Sequence, residues 1–132
     1  MKTLQLDIVT PSRAALSVVC KNVYIPAEDG EMGILESHES YVTLMGTGIV
    51  RIQKEEASES LCVRGGFIEV SDDQITLLAD EVKFAREIDP KTLPAEMTEV
   101  DQKLATSQDS AILQAQLLDE KKWLQAQLDL QA

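Results

Sequence analysis

The sequence is poor in the groups that most chemistry requires. Of its 132 residues one is histidine, two are cysteine and 4% are aromatic. With a single imidazole, any Ser-His-Asp or Cys-His arrangement would have to be built around His38. Glu36, Ser37, Glu39 and Ser40 surround it with hydroxyls and carboxylates. Adjacent residues of an extended chain point apart, however, so this crowding in sequence is not a triad geometry, and His38 reads as a surface or interface residue. Cys20 and Cys62 are too few and too far apart for a disulfide framework or a zinc knuckle; they are expected to be reduced, core-facing and free of metal. Long apolar runs are missing too. None approaches the roughly 20 residues needed to cross a bilayer, and the N-terminal MKTLQLD has no signal-peptide stretch, so a soluble, intracellular chain is expected. Basic residues number 12 against 23 acidic ones, for a net charge of -11. Without a Lys/Arg cluster to reverse that field, nucleic-acid phosphates and anionic lipid would repel the chain. A phosphate loop of the GxxxxGK type is absent; Gly46-Thr47-Gly48 and Gly65-Gly66 are short, precede strands, and read as tight turns or close backbone approaches.

What is present divides the chain in two. Up to about residue 86, apolar residues recur with period two in short runs: Leu4, Leu6, Ile8; Val23, Ile25; Val50, Ile52; Leu61, Val63; Ile75, Leu77. Each run can bury one face and wet the other. Turn chemistry punctuates them at Thr10-Pro11-Ser12, Pro26 to Gly33, Gly46 to Gly48, Lys54 to Ser60, Gly65-Gly66 and Ser71 to Asp73. The acidic Glu55, Glu56 and Glu59 mark a solvated hairpin tip, and Met32 and Met45 read as gap-filling residues. Many short strands at this spacing predict a β-sandwich or flattened barrel. From Asp89 onward glycine disappears and Ala, Leu, Gln, Glu and Lys dominate. The composition predicts helix from about Pro94, with Met97, Val100 and Leu104 on one face. A break at residues 106–109 offers Asp109 as N-cap of a second helix, whose stripe is Leu113, Leu117, Leu124 and Leu128, with Trp123 as a packing residue. Two such helices form an antiparallel hairpin that needs a partner surface. The fold class expected is β plus α, with domains at 1–88 and 89–132.

Two segments then carry a family resemblance. Glu28-Asp29-Gly30-Glu31-Met32-Gly33-Ile34-Leu35, followed by His38, resembles an EGxxGIxPxH loop. Gly65-Gly66-Phe67-Ile68-Glu69-Val70, followed by Ile75-Thr76-Leu77-Leu78-Ala79-Asp80, resembles a GGFxEV…VTxLAD run. With LDIVTP at residues 6–11 and the helical tail in order, the whole chain resembles the epsilon subunit of the rotary F-type ATP synthase, called delta in mitochondria. The resemblance implies a ten-stranded β-sandwich followed by two helices, with no active site. The implied function is that of a non-catalytic central-stalk subunit coupling ion-driven c-ring rotation to ATP synthesis in the F1 head. The sandwich would bind the gamma subunit and rest on the c ring, whose interface would include Glu31, Gly33 and His38. The hairpin, through Leu113, Leu117, Leu124 and Leu128, would pack on the sandwich or on a partner, with Lys121 and Lys122 as candidate contacts to the catalytic alpha/beta subunits. Such a chain would be a peripheral protein on the cytoplasmic side of the bacterial plasma membrane, with no direct membrane insertion.

The chain also departs from the family pattern. Some bacterial members bind ATP through I/L-D-x-x-R-A; here Ile88 and Asp89 match, but Thr92 and Leu93 stand at the Arg and Ala positions and Pro90 and Pro94 alter the backbone. Without that Arg to pair with phosphate, no cofactor is expected. Prolines common around the family's histidine are replaced, Glu36 and Ser40 flanking this segment. The tail carries four Lys and no Arg against eight carboxylates, which disfavours attraction to an acidic target. The competing reading is a stand-alone β-sandwich enzyme or ligand-binding domain with a helical dimerisation tail.

Overall fold

A computed structural model describes residues 3–27, 30–34, 40–107 and 109–131, with residues 30–34 described by their backbone. Its strands are β1 (Leu4–Val9), β2 (Ala14–Cys20), β3 (Asn22–Ala27), β4 (Gly30–Ile34), β5 (Tyr41–Leu44), β6 (Gly48–Gln53), β7 (Ser58–Arg64), β8 (Phe67–Ser71), β9 (Gln74–Leu78) and β10 (Glu81–Phe84). A 3-10 turn at Ala85–Glu87 leads to helices α1 (Leu93–Thr106) and α2 (Ala111–Gln131). The strands form two five-stranded sheets ordered β2-β1-β9-β8-β5 and β10-β7-β6-β3-β4. All pairings are antiparallel except β1 with β9. A two-sheet sandwich followed by a helical hairpin is the expected architecture.

The period-two alternation determines which side chains meet. Leu4, Leu6, Ile8, Val23, Ile25, Val50, Ile52, Leu61, Val63, Ile75 and Leu77 all point between the sheets and are buried, together with Cys20 and Met45. Their alternate neighbours face outward, as pleating requires. The strand β7 departs from the expected one-wet-face pattern, because Leu61, Cys62 and Val63 are all buried. The reason is that α2 lies across β7 and β6. Cys62 on the outer side of that sheet belongs to a second apolar cluster with Ile88, Leu93, Val100, Trp123, Leu124 and Ala126, and Ile49 joins it from β6. Both cysteines are free and buried, one in each cluster.

Helix ends follow local chemistry. In α1, Pro94 sits in the first turn, where its missing N–H has no intrahelical partner. In α2 the cap is Ser110 and not the expected Asp109: Ser110 Oγ accepts the Leu113 N–H at 3.2 Å, and its carbonyl accepts the Gln114 N–H. The hydroxyl one residue later lies in register with the third helical N–H.

Candidate functional site

The outer face of the β2-β1-β9-β8-β5 sheet is left uncovered by the hairpin. Strand register places Leu44 opposite Phe67, Phe67 opposite Leu78, and Leu78 opposite Val9, so these four form one row across β5, β8, β9 and β1. Leu44, Phe67 and Leu78 are 49%, 49% and 44% exposed, and Val42, two residues along β5, is 64% exposed. The next row holds Ser17, Asp7, Thr76 and Glu69, beside Val42. No Lys or Arg lies among the strand residues of this face. The result is an apolar corner bordered by carboxylates.

Asp7 is held within its row. It accepts hydrogen bonds from Ser17 Oγ at 2.6 Å, Gln74 Nε2 at 2.9 Å and Gln5 Nε2 at 3.2 Å. The Ser17 bond, followed by the two Gln bonds, keeps its carboxyl below the usual range against the opposing effect of burial. This satisfied cross-strand network is the opposite of a carboxylate poised to accept a proton. Among the described residues no group of three His, Cys, Asp or Glu side chains could hold a metal ion.

The glycine motif organises the same face. Gly66 has φ +110°, and a Cβ there would fall 1.8 Å from the Leu78 carbonyl oxygen. Gly66 also accepts the Met45 N–H at 2.9 Å. Only a glycine lets the β7–β8 turn approach β9 this closely, which brings Phe67 into line with Leu78. At the opposite side of the turn, Gly46 has no room for a Cβ because the Ala27 oxygen would lie 2.8 Å away.

At the hairpin, Leu117 and Leu124 are buried and Leu128 is partly buried against the second cluster. Leu113 does not join the stripe: it is 41% exposed, because the burying face of α2 is covered only from Leu117 onward. Trp123 is buried as a packing residue. Lys121 pairs with Asp101 of α1 at 2.8 Å. Lys122 is exposed and lines an open cleft of about 920 Å³ between α2 and the Gly46–Gly48 and Gly65–Gly66 turns. Polar contacts that sequence patterns did not reveal tie the hairpin down. Thr47 Oγ1 donates to Asp119 Oδ1 at 2.7 Å, and Arg64 Nε donates to Asp119 Oδ2 at 3.0 Å.

Comparison with known proteins decides what this assembly of features is. Residues 3–85 match the family described as ATP synthase, Delta/Epsilon chain, beta-sandwich domain. The chain belongs to that family. It is 38% identical over 104 residues to the ATP synthase epsilon chain of Pelotomaculum thermopropionicum, covering 79% of this chain and 78% of the relative. It is 30% identical to the epsilon chain of Bradyrhizobium sp. over all of this chain and 98% of the relative. In fold it is similar to a chain of the Euglena gracilis mitochondrial ATP synthase, with a TM-score of 0.80 at 22% identity over 96% of this chain and 79% of that one. As a delta/epsilon family member it is a non-catalytic subunit of a membrane-associated ATP synthase, and the stand-alone enzyme or ligand-binding reading finds no support.

Within this delta/epsilon chain, the two motif segments fare differently. The Gly65–Val70 and Ile75–Asp80 run forms the β7–β8 turn, β8 and β9 described above. Glu31 and Gly33 lie on β4, at the edge of the other sheet, opposite Pro26 and Tyr24 of β3. His38 lies outside the described residues, as do Glu28, Asp29, Leu35, Glu36, Ser37 and Glu39. Ile88 and Leu93, from the segment aligned with the ATP motif, are buried in the second apolar cluster. The side chain at the motif's Ala position is therefore spent on packing.

Proposed function

We propose that this chain is the central-stalk subunit that couples ion-driven c-ring rotation to ATP synthesis in the F1 head, with residues 1–88 as its binding domain and 89–132 as a helical accessory. The observation that carries this reading is the uncovered sheet face with its Val9-Leu78-Phe67-Leu44 row and bordering Asp7 and Glu69. A contiguous exposed apolar area rimmed by polar groups marks an interaction site. Its partner needs an apolar patch flanked by basic side chains. We assign the gamma subunit to it. The fold neighbours support the setting: the Euglena structure comprises OSCP, F1 and c-ring of a mitochondrial synthase, and a Tetrahymena thermophila neighbour (TM-score 0.65, 10% identity) belongs to a structure of the central stalk and c-ring.

The c ring is assigned to the segment holding Glu31, Gly33 and His38, on the edge of the second sheet and in the connection that follows it. Contact through the ring makes the chain peripheral to the cytoplasmic side of a bacterial plasma membrane. Among the described residues no helix is long and apolar enough to cross a membrane. Modulation of hydrolysis by the hairpin, through Lys121 and Lys122 against the catalytic subunits, requires Lys121 to leave Asp101.

The test is co-purification. A Leu44→Glu/Phe67→Glu variant, both positions being half exposed, should keep its circular dichroism spectrum yet fail to retain gamma in pull-downs from detergent-solubilised membranes. Retention of gamma at the wild-type level by a folded double variant would overturn the assignment of this face.

A further inference from the structure

A sheet ends in strands whose outer main-chain groups have no ladder partner, and folded proteins shorten, charge or cover such edges. Three of the four edges of this sandwich are treated in that way. β10 is four residues long and carries Glu81 and Lys83. Side chains take its outward groups, Arg13 Nη2 donating to Val82 O at 3.3 Å and Phe84 N–H donating to Glu87 Oε1 at 3.0 Å. β5 is four residues long and runs on into a bridge from Met45 to Ala27 of the other sheet. β4 is five residues long, with two glycines and Glu31.

β2 is the exception. Its seven residues, Ala14–Cys20, include no charged residue, proline or glycine. It stands at the end of its sheet and pairs with β1 alone. The direction of its free groups follows from β1. Gln5 N–H donates to Asp73 O and Val9 O accepts the Ala79 N–H, so Gln5, Asp7 and Val9 turn their main-chain groups toward β9. Leu4, Leu6 and Ile8 therefore turn theirs toward β2, where they meet Cys20, Val18 and Leu16. Ser17 and Val19, opposite Asp7 and Gln5, are left with N–H and C=O pointing away from the sheet. Among the described residues nothing bonds to these four groups. The Val19 side chain beside them is 56% exposed.

Such an edge takes an extended segment: main-chain bonds supply the hold, and side chains on alternate faces supply the selection. A second copy of this chain is a poor occupant. Two β2 strands would meet seven residues against seven, whereas a specific interface engages about 20–30 residues a side, and each copy brings a net charge of -11. The occupant must be held elsewhere as well. The uncovered outer face supplies that hold, because it runs without a break to the edge: Ser17 lies in one row with Asp7, Thr76 and Glu69, and Val9 of the apolar row is on the strand paired to β2.

We propose that the partner covering the outer face also lays an extended segment along β2, bonding the main chain of Ser17 and Val19 and adding a sixth strand to this sheet. The segment sets an apolar residue beside Val19 and keeps carboxylates away from Asp7. This rests on the assignment of gamma to the outer face and locates a second part of gamma at the adjoining edge.

The experiment is amide hydrogen exchange resolved to single residues, on the full chain alone and bound to gamma. In the free chain Leu16 and Val18 should be protected by β1, and Ser17 and Val19 should exchange freely. With gamma bound, Ser17 and Val19 should slow about a hundredfold or more. Free exchange of both in a complex that retains gamma overturns the strand addition and leaves the outer-face assignment standing. Failure of the wild-type chain to bind gamma overturns both. Val19→Pro removes an outward N–H and no bond of the β1 ladder, so the free variant should keep its circular dichroism spectrum and the protection of Leu16 and Val18. Its affinity for gamma should fall about tenfold. Val19→Thr, which keeps the N–H, should stay within about twofold of wild type. Equal losses in the two variants would trace the effect to the Val19 side chain and overturn the main-chain pairing.

Discussion

The Gly65-Gly66 pair offers a severe test of the physical account, because two adjacent glycines of one motif should respond very differently to the same substitution. At Gly65 φ is +55°, in the left-handed region, and an added Cβ meets only Asp80 Oδ2 at 3.2 Å. That carboxylate can rotate away, so Gly65→Ala costs mainly the left-handed conformation, about 1 kcal/mol. At Gly66 φ is +110°, and the Cβ would lie 1.8 Å from Leu78 O and 2.9 Å from Leu78 C, both main-chain atoms of the adjacent strand. Relief requires β8 and β9 to separate at their ends or the turn to lift. Either movement strains the Met45 N–H to Gly66 O bond. Backbone strain of about 1–3 kcal/mol and a lost hydrogen bond of about 1 kcal/mol, added to the displaced packing, give about 3–5 kcal/mol. Set against a typical total of about 5–15 kcal/mol, Gly66→Ala should leave a marginal sandwich. Urea unfolding followed by far-UV circular dichroism on both variants measures the difference. A Gly66→Ala variant within about 1 kcal/mol of Gly65→Ala would refute the close-approach reasoning.

Two further predictions concern the end of the sandwich and helix α2. Glu87 is held below the usual carboxylate range, chiefly by the Arg13 guanidinium at 2.9 Å and then by the Phe84 N–H at 3.0 Å. Because its folded value is the lowered one, its contribution to stability is present above the unfolded carboxylate value and is lost as pH falls through the folded value. Urea unfolding between pH 7 and pH 3 should therefore show a shallower acid-side loss in Glu87→Gln than in wild type, and identical slopes would contradict the pairing. In α2, Leu117→Ala should cost about 2–3 kcal/mol and Leu113→Ala less than about 0.5 kcal/mol, since only Leu117 is buried. Thermal unfolding monitored on the helical signal separates them, and equal losses would mean that the stripe does extend to Leu113.

The sandwich was legible in the sequence because its strands obey a period of two and its turns carry residues with steric reasons to be there. Leu4, Leu6 and Ile8 announce their shared face whatever they pair with. Pairing itself was not legible. Leu44, Phe67, Leu78 and Val9 are spread over 70 residues, and only the register of four strands, one of them parallel, brings them into a row. The helical stripe was legible as a direction but not as a length: the spacing of Leu113 fits the pattern, yet its side chain is 41% exposed while Leu117, one turn on, is buried. Cys62 shows the same gap from the other side. It is buried as its residue type predicts, but on the outer face of its sheet, beneath a helix from far along the chain whose place alternation along β7 could not reveal. Asp119 was invisible for a further reason, since its partners Thr47 and Arg64 are 72 and 55 residues away.

Negative charge acquires a physical role once the parts are placed. The outer face of the first sheet carries Asp7 and Glu69 without a counter-cation among its strand residues, and the available cations are deployed elsewhere. Arg64 holds Asp119, Lys83 meets Gln127, and Arg13 and Arg86 lie over the Phe84 ring at 5.8 and 4.4 Å to its centroid. These groups sit along β7, β10 and the turn that follows, with Arg13 reaching there from the β1–β2 turn. Arg64 and Lys83 thus lie where an acidic hairpin must be held, and the carboxylates of the first sheet are left where a basic partner can be received. That division commits two of the twelve basic side chains, Arg64 and Lys83, to an internal seam. It leaves the external face able to discriminate against partners of its own sign, which like-charge desolvation and repulsion enforce at short range.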